Sequence, residues 1–143
     1  MTTFQSNPAT APPDILPLRS SEDVVRLRQQ VRERVLSIRL SLVDQTKFVT
    51  AASELARNTL DYGGGGEAHI EMIANGGRNG VRIAFIDRGP GIADLDQALS
   101  DGFTSGNGMG LGLGGAKRLS DEFSVETKVG EGTTVTITKW KSF

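Results

Sequence analysis

The sequence predicts an α+β fold, a two-layer sandwich in which helices pack on one face of a mostly antiparallel sheet. The first part of the chain has apolar residues at helical spacing, and two pairs of alternating segments joined by glycine-rich turns follow it. This grouping of helices and hairpins is typical of layered α+β domains. A length of 143 residues with 37% hydrophobic content corresponds to one domain with one buried core.

Two helices are predicted first. Ser20 or Ser21 can cap the first helix, and its core stripe is Val24, Leu27, Val31, Val35 and Ile38. The second helix is predicted from near Asp44 to Tyr62, with the glycine run 63–66 ending it. Its core stripe is Phe48, Ala52, Leu55 and Thr59.

Two β-hairpins are predicted after these helices. AHIEMIA and VRIAFID flank the turn NGGRNG, and their inner face is Ile70, Met72, Val81, Ile83 and Phe85. A short helix is predicted over 94–101 and another in GGAKRLSDEF. FSVETKV and TTVTITKW then form the second hairpin. Residues 1–14 hold little that can pack, so we expect a flexible leader before a folded domain over 15–143.

Composition excludes several classes of function. With 16 basic and 17 acidic residues, the chain has no charge excess that would favour nucleic acid. It has no cysteine, so disulfides and thiolate zinc sites are ruled out. No apolar run reaches the roughly 20 residues that cross a bilayer, and no targeting segment is evident. We therefore expect a soluble cytoplasmic protein without nucleic-acid or membrane partners.

A polar pair marks the second helix. Glu54 and Asn58 in SELARN are four residues apart, so they lie on one helical face at the edge of the core. A carboxylate can accept a proton or position a nucleophile, and an amide oxygen is a hard ligand suited to Mg²⁺. Taken alone, this spacing is more typical of a solvated helix surface.

Two glycine-containing segments are also candidates. Asp87 is the first residue of DRGPGI, at the point where an apolar strand ends. An aspartate in this position is typical of an ordinary turn, but it can also belong to a ligand site. DGFTSGNGMGLGLGG can wrap phosphates with backbone N–H groups or be a flexible linker. It lacks the GK[ST] of a P-loop and the preceding buried strand of a dinucleotide fingerprint. His69 is the one histidine and is interpreted as structural.

In this order and spacing, SELARN, DRGPGI, the glycine-rich segment and GEGTTVTITKW resemble the ATP-binding boxes of the GHKL superfamily. The resemblance covers about residues 15–140 and implies the Bergerat fold of histidine-kinase-like ATPases. Within that superfamily the segments are most similar to RsbT-type serine/threonine kinases of bacterial stress signalling. The cofactors that this resemblance implies are ATP and Mg²⁺.

The resemblance also implies roles for individual residues. Glu54 would orient or deprotonate the attacking hydroxyl, Asn58 would coordinate Mg²⁺, and Asp87 would bind the adenine amino group. Arg57 is a weaker candidate for phosphate contact. The full nucleotide-binding set is Asn58, Asp87, Gly89, Gly91, Ile92, Thr104, Ser105, Gly108, Met109, Gly110, Leu111, Gly112, Leu113 and Thr133.

The function so implied is a protein serine/threonine kinase that phosphorylates STAS-domain proteins in a stress-response partner switch. A PP2C-type phosphatase, activated by binding, is the second partner implied. The alternatives are a kinase-type anti-sigma factor that sequesters a sigma factor, and a binding module without catalysis. One long helix precedes Asp44 and three residues follow Trp140, so we do not expect a histidine kinase core or a gyrase-like ATPase.

Overall fold

Five strands form one antiparallel sheet, and helices cover one of its faces. The computed structural model describes residues 12–100 and 112–142. Its elements in chain order are β1 (Asp14–Leu18), α1 (Ser21–Ser37), α2 (Leu42–Asp61), β2 (Gly66–Asn75), β3 (Arg78–Asp87), α3 (Leu95–Leu99), α4 (Leu113–Leu119), β4 (Glu122–Lys128) and β5 (Gly132–Trp140). The strand order is β1-β2-β3-β5-β4. The predicted two-layer α+β fold is confirmed.

The two long helices begin at serine caps. The Ser20 hydroxyl accepts from the Asp23 N–H at 3.2 Å, and the Ser41 hydroxyl accepts from the Asp44 N–H at 3.1 Å. The second helix therefore begins at Leu42, two residues before the predicted start, because Ser41 rather than Asp44 is its cap. The core stripes predicted for both helices are buried.

Strand β1 was missed by the sequence prediction. It pairs with β2 as an edge strand, where Pro17 needs no ladder partner on its open side. The predicted flexible leader 1–14 overlaps this strand at Asp14, whose carboxylate binds Arg34 on α1. Residues 1–11 lie outside the described ranges. A five-residue strand that contains proline has too weak a pattern to be recognised without its neighbour.

The helix predicted in GGAKRLSDEF was too long. It ends at Leu119, because Ser120 has an extended backbone and Glu122 already pairs with Thr138 in the sheet. Similarly, the short helix predicted over 94–101 covers Leu95–Leu99 behind its cap Asp94. In the case of α4, the pairing of β4 with β5 ends the helix before the end that the local sequence predicts.

The hairpin of β2 and β3 places the predicted apolar face against the helices. Gly76 and Gly77 both have positive φ (60° and 82°), the conformation of a two-residue type I′ turn. In this register Ile70, Val81 and Ile83 are buried, as predicted. Among the inner-face residues predicted, Met72 is partly buried against the same core.

On the other face of the sheet, Trp140 lies across Gly80. A side chain at Gly80 would come within 2.7 Å of the indole, and the indole N–H donates to Glu122 at 2.7 Å. The Arg78 guanidinium lies 4.9 Å from the ring centre. Trp140 is 4% exposed, so this end of the uncovered face has its own small packed cluster.

Trp140→Ala is expected to lower the free energy of unfolding by about 3–5 kcal/mol, because a buried indole leaves a cavity beside Gly80. Trp140→Phe keeps an aromatic ring there and is expected to cost less than half as much. Urea unfolding of the three proteins measures this. A loss below about 1 kcal/mol for Trp140→Ala would show that the cluster does not contribute the packing energy expected of a buried tryptophan.

Candidate functional site

A cavity lies where the second half of α2 faces the ends of β3 and β5. Asp87 ends β3 and is paired in register with Thr133 near the start of β5, so both belong to the helix-covered face. Asn58 faces them from α2. The lining residues are Leu55, Asn58, Thr59, Tyr62, Phe85, Asp87, Ile92, Leu113, Thr133 and Val135.

Five predicted site residues are brought together by this cavity: Asn58, Asp87, Ile92, Leu113 and Thr133. Five more lining residues were not assigned to the site from the sequence: Leu55, Thr59, Tyr62, Phe85 and Val135. Periodicity could have found them, since Tyr62 follows Asn58 by one helical turn and the strand residues alternate with Asp87 and Thr133. The Tyr62 hydroxyl donates to the Gly91 carbonyl at 3.2 Å.

The carboxylate of Asp87 is half-buried and fixed by the backbone. One oxygen accepts from the Gly89 N–H at 2.8 Å. Burial raises the pKa of Asp87 above the ordinary aspartate value, and hydrogen bonds from the Gly89 and Thr133 backbones partly offset this rise. A carboxylate held in this way is a preoriented acceptor for an N–H group of a ligand.

Glycines allow the backbone to approach this carboxylate closely. A side chain at Gly63 would come within 2.4 Å of the Asp87 carboxyl carbon, and one at Gly89 within 2.7 Å of the Gly63 carbonyl. The end of α2 and the Asp-Gly turn therefore pack backbone against backbone. A larger residue at Gly63 would displace the Asp87 side chain, and one at Gly89 would displace the Gly63 backbone.

Gly63→Ala is expected to weaken nucleotide binding at least about tenfold, because displacing Asp87 costs a charge-assisted hydrogen bond worth about 1.5–3 kcal/mol. Isothermal titration with ATP measures this. The control is Gly64→Ala, whose added side chain meets nothing within 4 Å. Because Gly64 has a φ of 77°, alanine there is expected to lower the stability of the protein but not its ATP affinity. Equal ATP affinities of the two variants would contradict the role of the close approach.

The Asp-Gly turn is held by the β4–β5 hairpin. The Ile92 N–H donates to Thr127 at 2.9 Å, and the Gly130 N–H donates to the Pro90 carbonyl at 2.8 Å. Gly91 has a φ of 76°, and a side chain there would strike the Lys128 carbonyl. The predicted Gly89 and Gly91 thus shape the turn and bring its backbone close to the rest of the site.

Asn58 contributes a buried side-chain nitrogen to the site. Its side-chain nitrogen is buried and has no hydrogen-bond partner among the described residues. Leaving a buried polar atom unpaired costs about 1–3 kcal/mol. Such an atom beside an anchored carboxylate indicates a site for a polar ligand.

Glu54 lies one turn before Asn58 on α2 and is exposed. It is not among the lining residues, but a side chain at Gly112 would come within 2.5 Å of its carboxylate oxygen. Gly112, in the left-handed conformation at φ 65°, is the cap residue of α4. The Glu54 carboxylate is therefore close to Gly112, at the end of the glycine-rich segment, and is also open to solvent.

The remaining predicted residues of that segment lie outside the described ranges. They are Thr104, Ser105, Gly108, Met109, Gly110 and Leu111. The cavity between the described residues measures about 20 Å³, space for about one water molecule. A purine base is larger than this space, so it does not fit between the described residues as they stand.

The residues present fit a magnesium ion that is held mainly by a nucleotide. No group of three His, Cys, Asp or Glu side chains able to hold a metal occurs among the residues described. Mg²⁺ in such sites takes one or two protein oxygens, with phosphates and water completing its octahedron. The amide of Asn58 meets that need without an acidic cluster.

The fold and the site together define an ATP-binding domain of the GHKL class. A family model for histidine kinase-, DNA gyrase B- and HSP90-like ATPases matches residues 43–142. The chain belongs to this family, as its sequence predicts.

Curated relatives narrow the resemblance. The chain is 44% identical over 118 residues to the serine/threonine-protein kinase RsbT of Bacillus subtilis, covering 82% of this chain and 89% of that one. It is 29% identical over 127 residues to the anti-sigma F factor of Lysinibacillus sphaericus, covering 85% and 87% of the two chains. The predicted likeness to RsbT-type kinases is confirmed.

A solved structure shares the fold. It is the crystal structure of the RsbU and RsbW domains of Rv1364c from Mycobacterium tuberculosis, with a TM-score of 0.59 and 23% identity. The match covers 90% of this chain and 32% of that one. Among the residues described here, no helix is long and apolar enough to cross a membrane.

Proposed function

We propose that this chain is an ATP-dependent protein serine/threonine kinase. The observation that carries the proposal is the buried side-chain nitrogen of Asn58, which has no partner among the described residues, beside the anchored carboxylate of Asp87. The exposed Glu54 lies one helical turn away. In this arrangement Asn58 and Asp87 face a nucleotide in the cavity, whereas Glu54 faces solvent, where a protein substrate can approach. The 44% identity to a serine/threonine-protein kinase over most of both chains supports it.

Each residue has a distinct role in this proposal. Asp87 accepts a hydrogen bond from the adenine amino group, and Thr133 lies beside it at the same end of the cavity. Asn58 contributes an oxygen to Mg²⁺, which when bound neutralises charge on the phosphates during transfer. The glycine-rich segment, including Gly112 and the residues outside the described ranges, wraps the phosphates.

Glu54 is proposed to orient the attacking hydroxyl or accept its proton. Its exposure fits this role, because the hydroxyl belongs to a protein that has to reach the carboxylate from solvent. Positioning and charge neutralisation supply most of the catalysis in phosphoryl transfer. General-base assistance adds typically about 10²- to 10⁴-fold.

The proposed substrates are STAS-domain regulatory proteins of a cytoplasmic partner-switching pathway in a bacterial stress response. A PP2C-type phosphatase, activated by binding, is the second proposed partner. An anti-sigma factor of the kinase type is the alternative, and the 29% identity to an anti-sigma F factor over 85% of this chain favours it over unrelated functions.

The test is to incubate the protein with γ-labelled ATP, Mg²⁺ and STAS-domain proteins encoded near its gene. Label on a serine or threonine that requires Glu54 and Asn58 supports the kinase. Tight binding of a sigma factor without label on any STAS protein would favour the anti-sigma alternative. If the protein binds ATP but neither labels a STAS protein nor binds a sigma factor, both functions are contradicted.

A further inference from the structure

Three large apolar side chains are exposed at the corner where α1 turns into α2. Leu36 is 64% exposed, Leu42 76% and Val43 61%. Single exposed apolar residues are ordinary, whereas several at one place mark an interaction surface. We call these three residues the apolar corner.

The corner is held in place by hydrogen bonds. The Lys141 amine donates to the Arg39 carbonyl at 2.8 Å, and the Gln45 amide donates to the Leu40 carbonyl at 2.8 Å. Arg39 itself has a φ of 60°, a left-handed conformation in which glycine would be less strained. The turn thus retains a strained arginine beside an exposed apolar surface.

Cations surround the apolar corner. Arg32 precedes Leu36 by one turn, Arg39 lies in the connection, and Lys47 follows Val43 by one turn. None of these three side chains has an ion pair or hydrogen bond to another residue within 12–100 or 112–142. The nearby Asp44 carboxylate, in the first turn of α2, is already bound by Lys139 at 3.6 Å. Glu33, on the last part of α1, is the other acid near the corner.

One exposed stripe of α2 connects the corner to the catalytic side. Val43, Lys47, Thr50 and Glu54 are all exposed, and their spacing puts them on one helical face. Val43 and Glu54 are about 16 Å apart along the helix axis. An interface of ordinary size, about 800 Å² on each partner, covers such a distance.

We propose that the apolar corner is a docking site for the protein that this chain phosphorylates, and that it binds a helix with an apolar face and acidic flanks. The inference rests on the proposed kinase function for the identity of the partner. The apolar face covers Leu36, Leu42 and Val43, and the acidic flanks meet Arg32, Arg39 and Lys47. A partner held there extends along α2 and presents its hydroxyl to Glu54.

Two synthetic helical peptides test the chemistry of this docking without any kinase assay. Both carry the same leucine stripe at helical spacing, one with glutamate flanks and the other with lysine flanks. In NMR titrations, the glutamate peptide is expected to shift the backbone signals of Leu36, Leu42 and Val43, and the lysine peptide is not. No shift at the corner, or equal shifts with both peptides, would overturn the inference.

Matched variants refine the titration. Arg39→Gly relieves the left-handed backbone, so it is expected to keep or raise the melting temperature while weakening the glutamate peptide about two- to fivefold, as for the loss of one surface charge pair. The double variant Leu42→Ser/Val43→Ser is expected to abolish binding. Ile15→Ser, which changes an exposed apolar residue on β1, is the control and should bind normally.

Kinetics separate this inference from the kinase proposal. With an active STAS substrate, Leu42→Ser/Val43→Ser is expected to raise the KM for that protein about tenfold, the equivalent of about 1.4 kcal/mol, with kcat and ATP affinity unchanged. An unchanged KM would overturn the docking site and leave the kinase intact. If the wild type transfers no phosphate, the kinase proposal fails, and the peptide titration still decides whether acidic helices dock.

Discussion

Replacing Glu54 with glutamine is expected to lower the rate of phosphoryl transfer to a protein by about 10²- to 10⁴-fold. Glutamine has nearly the same shape but cannot accept a proton. Because Glu54 lies outside the cavity lining, ATP affinity should change by no more than about twofold, which corresponds to roughly 0.4 kcal/mol. Single-turnover transfer and ATP titration measure the two quantities separately.

Glu33→Gln is the matched control for this variant, because Glu33 is also an exposed helical glutamate but lies on α1, away from the cavity. It should retain the wild-type transfer rate. A Glu54→Gln protein with normal transfer would remove Glu54 from the mechanism. Loss of ATP binding in that variant would instead show that the carboxylate acts through its contact with the region of Gly112.

Asp87→Asn is expected to weaken ATP binding by roughly 10- to 150-fold, the equivalent of a charge-assisted hydrogen bond of about 1.5–3 kcal/mol. Preference for ATP over GTP should also narrow, because a carboxylate repels the guanine carbonyl whereas the asparagine amide can donate to it. Titration with both nucleotides measures these effects. Asp96→Asn, at an exposed position of α3, serves as the control.

The pH dependence gives a second measure of the same group. Because burial raises the pKa of Asp87, the carboxylate becomes protonated at a higher pH than an ordinary aspartate. ATP affinity should fall as the pH is lowered through that pKa. This group's contribution to stability of the free protein should rise over the same interval, because the folded state binds the proton more readily than the unfolded state.

Both pH effects should vanish in Asp87→Asn, which cannot titrate at that position. Titrations and thermal unfolding at a series of pH values test this. If ATP affinity in the wild type is independent of pH across the titration of Asp87, the carboxylate does not contact the base. Unchanged affinity in Asp87→Asn would lead to the same conclusion.

Lys139 and Trp140 show how a sequence signal can be structural. They end GEGTTVTITKW, one of the segments that resemble the GHKL boxes. In the structure, Lys139 is nearly buried and binds Asp44 and Asp121, while Trp140 packs over Gly80. The pair joins the start of α2 and the edge of the sheet, so its contribution is to stability.

The resemblance to the GHKL boxes predicted Glu54, Asn58 and Asp87 as polar residues of the site, and two of them, Asn58 and Asp87, line the cavity. The sequence by itself determined the two long helices and the two hairpins. These features depend on periodicity, capping and turn residues within short segments. Local patterns are enough for them because each is decided by contacts between residues close in the chain.

Tertiary structure decided the rest. The pairing of β1 with β2, the early end of α4, and the approach of Gly63 to Asp87 each join segments that are distant in the chain. Two further features depend on folding: the buried Asn58 nitrogen, which has no partner within the described ranges, and the apolar corner. Burial and exposure depend on which surfaces the other elements cover. The physical reason is that these properties belong to packed surfaces and cannot be assigned to any single segment.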